Sequence, residues 1–545
     1  MSEVASRNLK RSAAIMLFAT ILVKLIGGLF KLPLASDSVL GDLGFGYFSA
    51  AYDVFTPIHY IAISGFPVVI AKLISDNLGK NNLFEARKIF ILSRRMIIFL
   101  SLICFVVYLA VLSVIYFLFG KSFNKFYSLY AIAPAIIFCF ISSCYRGYFE
   151  GFNNMTPAAV SNIIEAFGKL CLGLGLSLIS ICIGFDISVS AAFAILGVTL
   201  GSLASAVYLR LRFNKERKDF DNTLKGIKDN KIGFKILMIS LPIVLSSLTT
   251  SIMAFIDSLT VSNAGGFLNL NINYFASLIS EQKITENLLP TVLYGIRSKA
   301  FTLFNLVPTL TLSIAVALIP SISKSFAEKN TSELKENIGA VVKITSLIVL
   351  PAGFGFIVFG RRIMELLYGV GASSQIGGIM LTVFGFAAIF AGFSLSLAGI
   401  LQGIGKQNIV LLNIAIGVLI KILLNFILCK IESINILGAV YSTAISFFVI
   451  FILHFIVLII HTGRITSIGK NIIKPLLASL ICILISYSFS FIDNSKIFTV
   501  LAMIIAVIIY FVALIWLKCI EESDFYLLPS SEKLIKISKK FKIIR

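Results

Sequence analysis

Apolar runs of about 20 residues recur along the whole chain, and few folds accommodate that pattern. A helix of that length matches the hydrocarbon layer of a bilayer. Fourteen such runs can be drawn in the 545 residues: 12–34, 45–71, 96–120, 127–149, 157–182, 188–209, 236–262, 298–322, 344–360, 376–402, 409–429, 437–461, 475–492 and 497–517. Backbone polar groups in lipid must be satisfied within the segment, so uninterrupted runs of this length read as helices, not barrel strands. The chain is 58% hydrophobic and 13% charged, whereas soluble proteins are about 45–50% apolar and about 25% charged. The expected fold is an all-α polytopic membrane protein with about 14 transmembrane helices. The first run is long enough to span and lacks a small-residue cleavage pattern, so no cleavable signal peptide is expected.

A net charge of +21 would suggest a nucleic-acid partner in a soluble chain. Here the excess lies in the loops. With alternate loops assigned to opposite sides, and Arg146 and Lys299 counted with the adjoining loops, 34 of the 47 lysines and arginines share the side that holds both termini, and 9 lie opposite. The positive-inside rule then places both termini in the cytoplasm, with Arg361 and Arg362 as exceptions on the minority side. The tail EKLIKISKKFKIIR (532–545) is basic and amphipathic, which fits anionic lipid at the inner face better than nucleic acid.

The two halves of the chain echo each other at a constant offset of 252. Lys72 recurs as Lys324, Gly147 as Gly399, Gly151 as Gly403 and Lys169 as Lys421. Six spans per half is an even number, so the repeat is parallel, related by an axis along the membrane normal. The expected organisation is an N-terminal lobe over 1–209 and a cytoplasmic basic linker over 210–235. A C-terminal lobe over 236–461, spans 13 and 14 within 462–517 and a basic tail over 518–545 complete it. Two six-helix lobes with a seam between them suit alternating access, with substrate held at the seam near the midplane.

Charges inside the spans locate the candidate site, because a charge at mid-bilayer costs about 2.5–3.5 kcal/mol on the gentlest scale. Lys24, Lys169 and Lys421 each lie about 18 Å into their spans, near the middle of the layer. Lys31 lies near the outer end, where snorkelling is the alternative reading. Lys24 and Lys31 are two helical turns apart on one face. Glu165 precedes Lys169 by one turn, a favourable ion-pair orientation, whereas Lys421 has Gly417 at the matching position. Asp53 and His59 on span 2 lie about 120° apart around the helix and need not share a wall. Asp257, Arg297 and Lys299 fall near the outer ends of spans 7 and 8, where surface pairing is the alternative. Several lysines with few carboxylates suit an anionic substrate.

Catalytic chemistry finds no support. His59, His454 and His461 do not cluster with a nucleophile, no Walker A motif is present, and the eight cysteines show no C-x-x-C pair. No enzyme activity and no metal or cofactor is expected. A coupling ion, Na+ or H+, or the membrane potential would drive the cycle. Two charges moving down that potential gain about 4.6 kcal/mol per 100 mV.

The stretches RGYFEGFNNMTPAAVSNIIEAFGK (146–169) and PVVIAKLISDN (67–77), with the 252-residue echo, resemble the stage V sporulation protein B and polysaccharide-exporter branch of the multidrug/oligosaccharidyl-lipid/polysaccharide flippase superfamily. Lipid II flippases are related to that branch. The resemblance implies a V-shaped pair of lobes alternating between inward- and outward-open states. It implies a cationic cavity with basic residues on spans 1 and 8, an acid on span 2, and a lipid-tail groove at spans 13 and 14. Lys24 and Lys31 then stand for the span 1 bases. Asp53 lies several residues after the family's acid, His59 near a family arginine, and Arg297 and Lys299 near the span 8 arginine.

The resulting expectation is a flippase for a polyprenyl-pyrophosphate-linked oligosaccharide in the cytoplasmic membrane of a bacterium. Its candidate substrate residues are Lys24, Lys31, Asp53, His59, Lys169, Arg297, Lys299 and Lys421, with Glu165 and Asp257 as charge partners or ion-coupling groups. Cell-wall synthesis enzymes are further partners to expect. The alternatives are a cation-coupled multidrug exporter of the same fold and a membrane scaffold for wall or spore-coat synthesis.

Overall fold

The computed structural model describes residues 16, 19, 22–23, 25–119, 126–216, 233, 236–240, 244, 248–261, 268–463, 467–489 and 495–519. Among the described residues every regular element is a helix. In chain order the longer ones are α1 (Leu25–Leu34), α2 (Gly41–Gly79), α3 (Leu83–Phe119), α4 (Phe126–Gly151), α5 (Thr156–Ile183), α6 (Ile187–Glu216) and α7 (Thr249–Val261). They continue as α8 (Leu289–Ala327), α9 (Thr331–Tyr368), α10 (Ala372–Gly403), α11 (Gln407–Leu428), α12 (Leu437–Thr462), α13 (Ser467–Phe489) and α14 (Lys496–Trp516).

Eleven of these helices are long and apolar enough to cross a membrane. Eleven, not fourteen, is the number that length and composition establish among the described residues. The described stretches of α1 and α7 are shorter, and α8 carries Arg297 and Lys299 in its first third. Several helices outrun the apolar runs expected for them. The shift that bears on the charged residues is in α8, which begins at Leu289 rather than 298.

The chain divides into two compact units, Met1–Leu268 with Ile284–Ser298, and Asn269–Lys283 with Lys299–Arg545. In the first unit, backbones approach through small residues. A Cβ on Gly168 would meet Gly201, and one on Gly197 would meet Gly173, so α5 and α6 lie in near contact. A Cβ on Gly147 or Gly151 of α4 would strike Pro67 to Ile74 of α2. One on Gly46 of α2 would strike the Thr291 carbonyl of α8, and one on Gly295 of α8 the Asp42 carbonyl of α2. In lipid, helices associate by such packing because hydrocarbon surroundings offer no hydrophobic drive between them.

The second unit repeats one crossing of the first in the same register. Ser323 donates to the Gly403 carbonyl at 2.8 Å. These two residues stand 252 beyond Ala71 and Gly151, whose close approach joins α2 to α4. Gly353 and Gly360 of α9 face Gly385 and Gly378 of α10 in the same manner. The α13–α14 pair packs through Ala478, Cys482, Tyr510 and Leu514. It is tied to α9 by a 2.9 Å bond from the Tyr510 hydroxyl to the Leu347 carbonyl.

Gly46→Val is expected to destabilise the first unit by about 1–3 kcal/mol or more, because the colliding partner is backbone. Gly79→Ala, whose Cβ meets nothing within 4 Å, is expected within about 0.5 kcal/mol of the parent. Thermal unfolding in detergent checks both, and equal melting temperatures would refute the close α2–α8 packing.

Candidate functional site

One buried carboxylate gathers four helices of the first unit. Glu165 of α5 accepts from Arg146 Nη2 of α4 at 3.0 Å and from Lys169 Nζ at 2.9 Å. His59 Nε2 of α2 lies 3.3 Å from it, and Ser202 of α6 reaches it at 3.5 Å. Arg146 also donates to Ser161 and Ser205, at 2.9 and 3.0 Å. Glu165 is only 5% exposed, so its charge is held by these donors and not by solvent. With Glu165 set against Arg146 and Lys169, the network keeps a positive charge. The i,i+4 pair expected from the sequence is present, but Arg146 was not among the expected site residues.

Two of the four helices that carry this network leave α geometry beside it. Residues Ile61–Gly65 of α2 and Lys169–Gly173 of α5 form π turns. Such turns insert an extra residue into a helix and recur at functional sites. Pro57 lies inside α2 and cannot donate to the carbonyl of Asp53, one turn earlier. An aromatic ladder of Phe45, Phe48, Tyr52, Phe55 and His59 climbs the same helix at alternating three- and four-residue steps, with centroids 5.4–6.5 Å apart.

A second cluster lies between α2, α7, α8 and α1 of the same unit. Tyr294 donates from its hydroxyl to Asp53 at 2.7 Å. Arg297 Nη2 donates to Asp257, and its guanidinium lies over the Tyr294 ring at 5.6 Å. Lys31 and Arg297 are the cations whose charge acts on Asp53. Lys31 is partly buried and sits 4.8 Å from the Tyr52 ring centroid, so it is engaged inside the unit and does not simply snorkel. Asp53 and His59 serve different clusters, as their angular separation implies.

One alternative reading is set aside here and one expectation corrected. Asp257 and Arg297 do not pair at the surface, since both are fully buried. The reason is that α8 starts nine residues before the expected span, which carries Arg297 inside the helix. The first unit is also closer to charge balance than lysines with few carboxylates would give. Packing of α7 and α8 on α2 brings Asp53 and Asp257 to the same place as Arg297.

The second unit holds the remaining described candidates. Lys299 lies 4.7 Å from the Tyr368 ring and is buried. Lys421 is fully buried and donates to the Ala439 carbonyl, Ser442 and Thr443, at 3.1, 3.3 and 2.7 Å. No carboxylate could stand at 417 as at 165, because Ile450 fills the space beside Gly417. Lys421→Met is expected to destabilise this unit by about 1–3 kcal/mol, because the oxygens around it lose their donor. Thermal unfolding checks this. Unchanged stability with lost transport would instead assign Lys421 to substrate. Lys24 and the basic tail lie outside the described residues.

Ammonium, guanidinium and hydroxyl donors in these clusters can bind an oxyanion, and their buried carboxylates can take a proton or a cation. The family of polysaccharide biosynthesis proteins matches residues 9–270, and the MatE family matches residues 295–427. Together they take in most of the first unit and about half of the second. The chain belongs to the multidrug/oligosaccharidyl-lipid/polysaccharide flippase superfamily.

Among relatives in this superfamily, stage V sporulation protein B of Bacillus subtilis is 26% identical over 464 residues, covering 83% of each chain. Lipid II flippase MurJ of the same organism is 24% identical over 477 residues, covering 84% of each. Among solved structures, lipid II flippase MurJ in an inward closed conformation covers 91% of this chain and 97% of its own, with a TM-score of 0.64 at 18% identity. An inward-facing multidrug-resistance transporter of the MATE family covers 83% of this chain and 99% of its own, with a TM-score of 0.63 at 16% identity. The superfamily fold is thus present across the chain, and the protein is a membrane flippase or transporter.

Proposed function

We propose that this superfamily member flips a polyprenyl-pyrophosphate-linked oligosaccharide, a peptidoglycan precursor or another wall glycan unit, across the cytoplasmic membrane by alternating access. The observation that carries the reading is the composition of the buried clusters. Lys31, Arg146, Lys169, Arg297, Lys299 and Lys421 stand against Asp53, Glu165 and Asp257. Stripping water from a pyrophosphate is prohibitive without replacement donors, and fixed cations in a low-dielectric setting supply them. Relatives named as a lipid II flippase and a sporulation protein support the same direction. In this reading Lys31 and Arg297 hold the pyrophosphate, and Asp53 and Tyr294 hold the two bases in place between cycles. Both termini face the cytoplasm, and the membrane potential or a coupled cation drives outward movement.

A second reading rests on a specific observation, the burial of Asp53 and Asp257. A cation-coupled exporter of organic cations would use such carboxylates. Reconstituted vesicles separate the two. The flippase reading expects wild-type protein to expose a fluorescent undecaprenyl-pyrophosphate-linked glycan on the far leaflet, with Lys31→Gln at least about tenfold slower. Absence of glycan translocation, together with Asp53-dependent efflux of an organic cation, would overturn it.

A further inference from the structure

Outside the clusters described above, a shallow, partly open pocket lies in the second unit between the first turns of α13, the end of α14 and α9. Lys343, Lys470, Lys474 and Lys518 line it together with Asn471. No carboxylate is among its described lining residues. Lys343 is only 7% exposed, at the floor of the pocket. Two bonds fix the walls. Lys474 donates to the Lys518 carbonyl at 2.9 Å, and Asn471 donates to the Gly339 carbonyl at 2.8 Å.

The surroundings say where in the membrane this pocket lies. The chain has a single tryptophan, Trp516, which is 74% exposed two residues before Lys518. Exposed tryptophans concentrate at head-group depth. Above it, α14 presents Ile504, Val507, Ile508, Phe511 and Val512 outward, an apolar strip facing acyl chains. By the charge distribution of the loops this is the cytoplasmic end of both helices. Basic pockets between transmembrane helices on that side suit anionic lipid head groups.

We infer that this pocket is a binding site for the phosphate head group of an anionic phospholipid, with its acyl chains lying along α14. Phosphate oxygens accept from the lysines that line the pocket, while Trp516 and the apolar strip hold the glycerol and chains. The pocket is separate from the charged clusters described above, and it rests on the flippase reading only through the choice of membrane.

The lone tryptophan makes the test direct. Full-length protein in phosphatidylcholine vesicles is titrated with brominated phosphatidylglycerol or brominated phosphatidylcholine, and Trp516 quenching is read. Wild type is expected to prefer the anionic lipid on the order of tenfold, and Lys470→Gln/Lys518→Gln should abolish that preference, since one lysine near the surface is worth about fivefold. Lys539→Gln/Lys540→Gln removes the same charge from the tail and is expected to leave the preference intact. Equal quenching by the two lipids would overturn the site. So would equal loss in the pocket and tail variants, which would mean diffuse attraction. Relief of quenching by millimolar inorganic phosphate would assign the pocket to a soluble anion and overturn the lipid assignment.

Discussion

Glu165→Ala is expected to destabilise the first unit by about 3–5 kcal/mol, one of the largest effects of any single substitution in this chain. The substitution leaves Arg146 and Lys169 buried without the carboxylate that both contact. Removing one member of a buried ion cluster is far more harmful than replacing the whole cluster by apolar groups. The variant Glu165→Leu/Arg146→Met/Lys169→Met should therefore recover most of the loss. Thermal unfolding in detergent reads both, with a fall on the order of 10 °C for the single variant. A single variant that melts with wild type would show that the four-helix junction does not depend on Glu165.

Arg297→Ala is expected to be comparably harmful, again by about 3–5 kcal/mol. Asp257 would be left fully buried without its guanidinium partner, and Asp53 would lose one of the two cations acting on it. The double variant Asp257→Leu/Arg297→Met should approach wild-type stability, since apolar replacement of a buried pair is often neutral or better. Under the proposed function that double variant still fails to translocate substrate, because Lys31 alone remains at the cluster. A stable double variant with full transport would confine Arg297 to a structural role. Recovery of neither property would mean that α7 and α8 depend on the ion pair itself for their packing.

Local and periodic features were legible in the sequence. Apolar runs gave the helices, because hydrophobic length is the requirement a bilayer imposes. The Glu165–Lys169 contact followed from helical spacing alone. The 252-residue offset pointed to equivalent crossings, and Gly151 with Ala71 and Gly403 with Ser323 occupy them. Contacts set by packing between distant helices were not legible. Arg146 reaches Glu165 across α4 and α5, and Arg297 reaches Asp257 across α7 and α8. The repeat did hold a signal for the first of these. At the positions 252 further on, Arg146 becomes Ala398 and Glu165 becomes Gly417. An acid and a base lost together between repeats is what a paired contact produces. Nothing comparable marked Asp257 and Arg297, because the start of α8 was placed nine residues late.

The charge count shows the same division. Lysines within spans stand out in a sequence, so the cations at 31, 169 and 421 were expected. How far each is neutralised depends on which helices meet, and packing divides them differently. Lys169 is tied to a carboxylate, Lys421 to neutral oxygens, and Lys31 to an aromatic ring near Asp53. The substrate reading therefore rests most heavily on Lys31, which is accessible enough to change without unfolding the unit.

Native mass spectrometry of the purified chain with an undecaprenyl-pyrophosphate-linked glycan, comparing wild type with Lys31→Gln, tests the central claim most directly. Retention of the lipid by wild type and its loss from a folded Lys31→Gln variant is the expected result. Failure of wild type to retain it, with Asp53-dependent retention of organic cations instead, would contradict the assignment of these clusters to an anionic lipid-linked substrate.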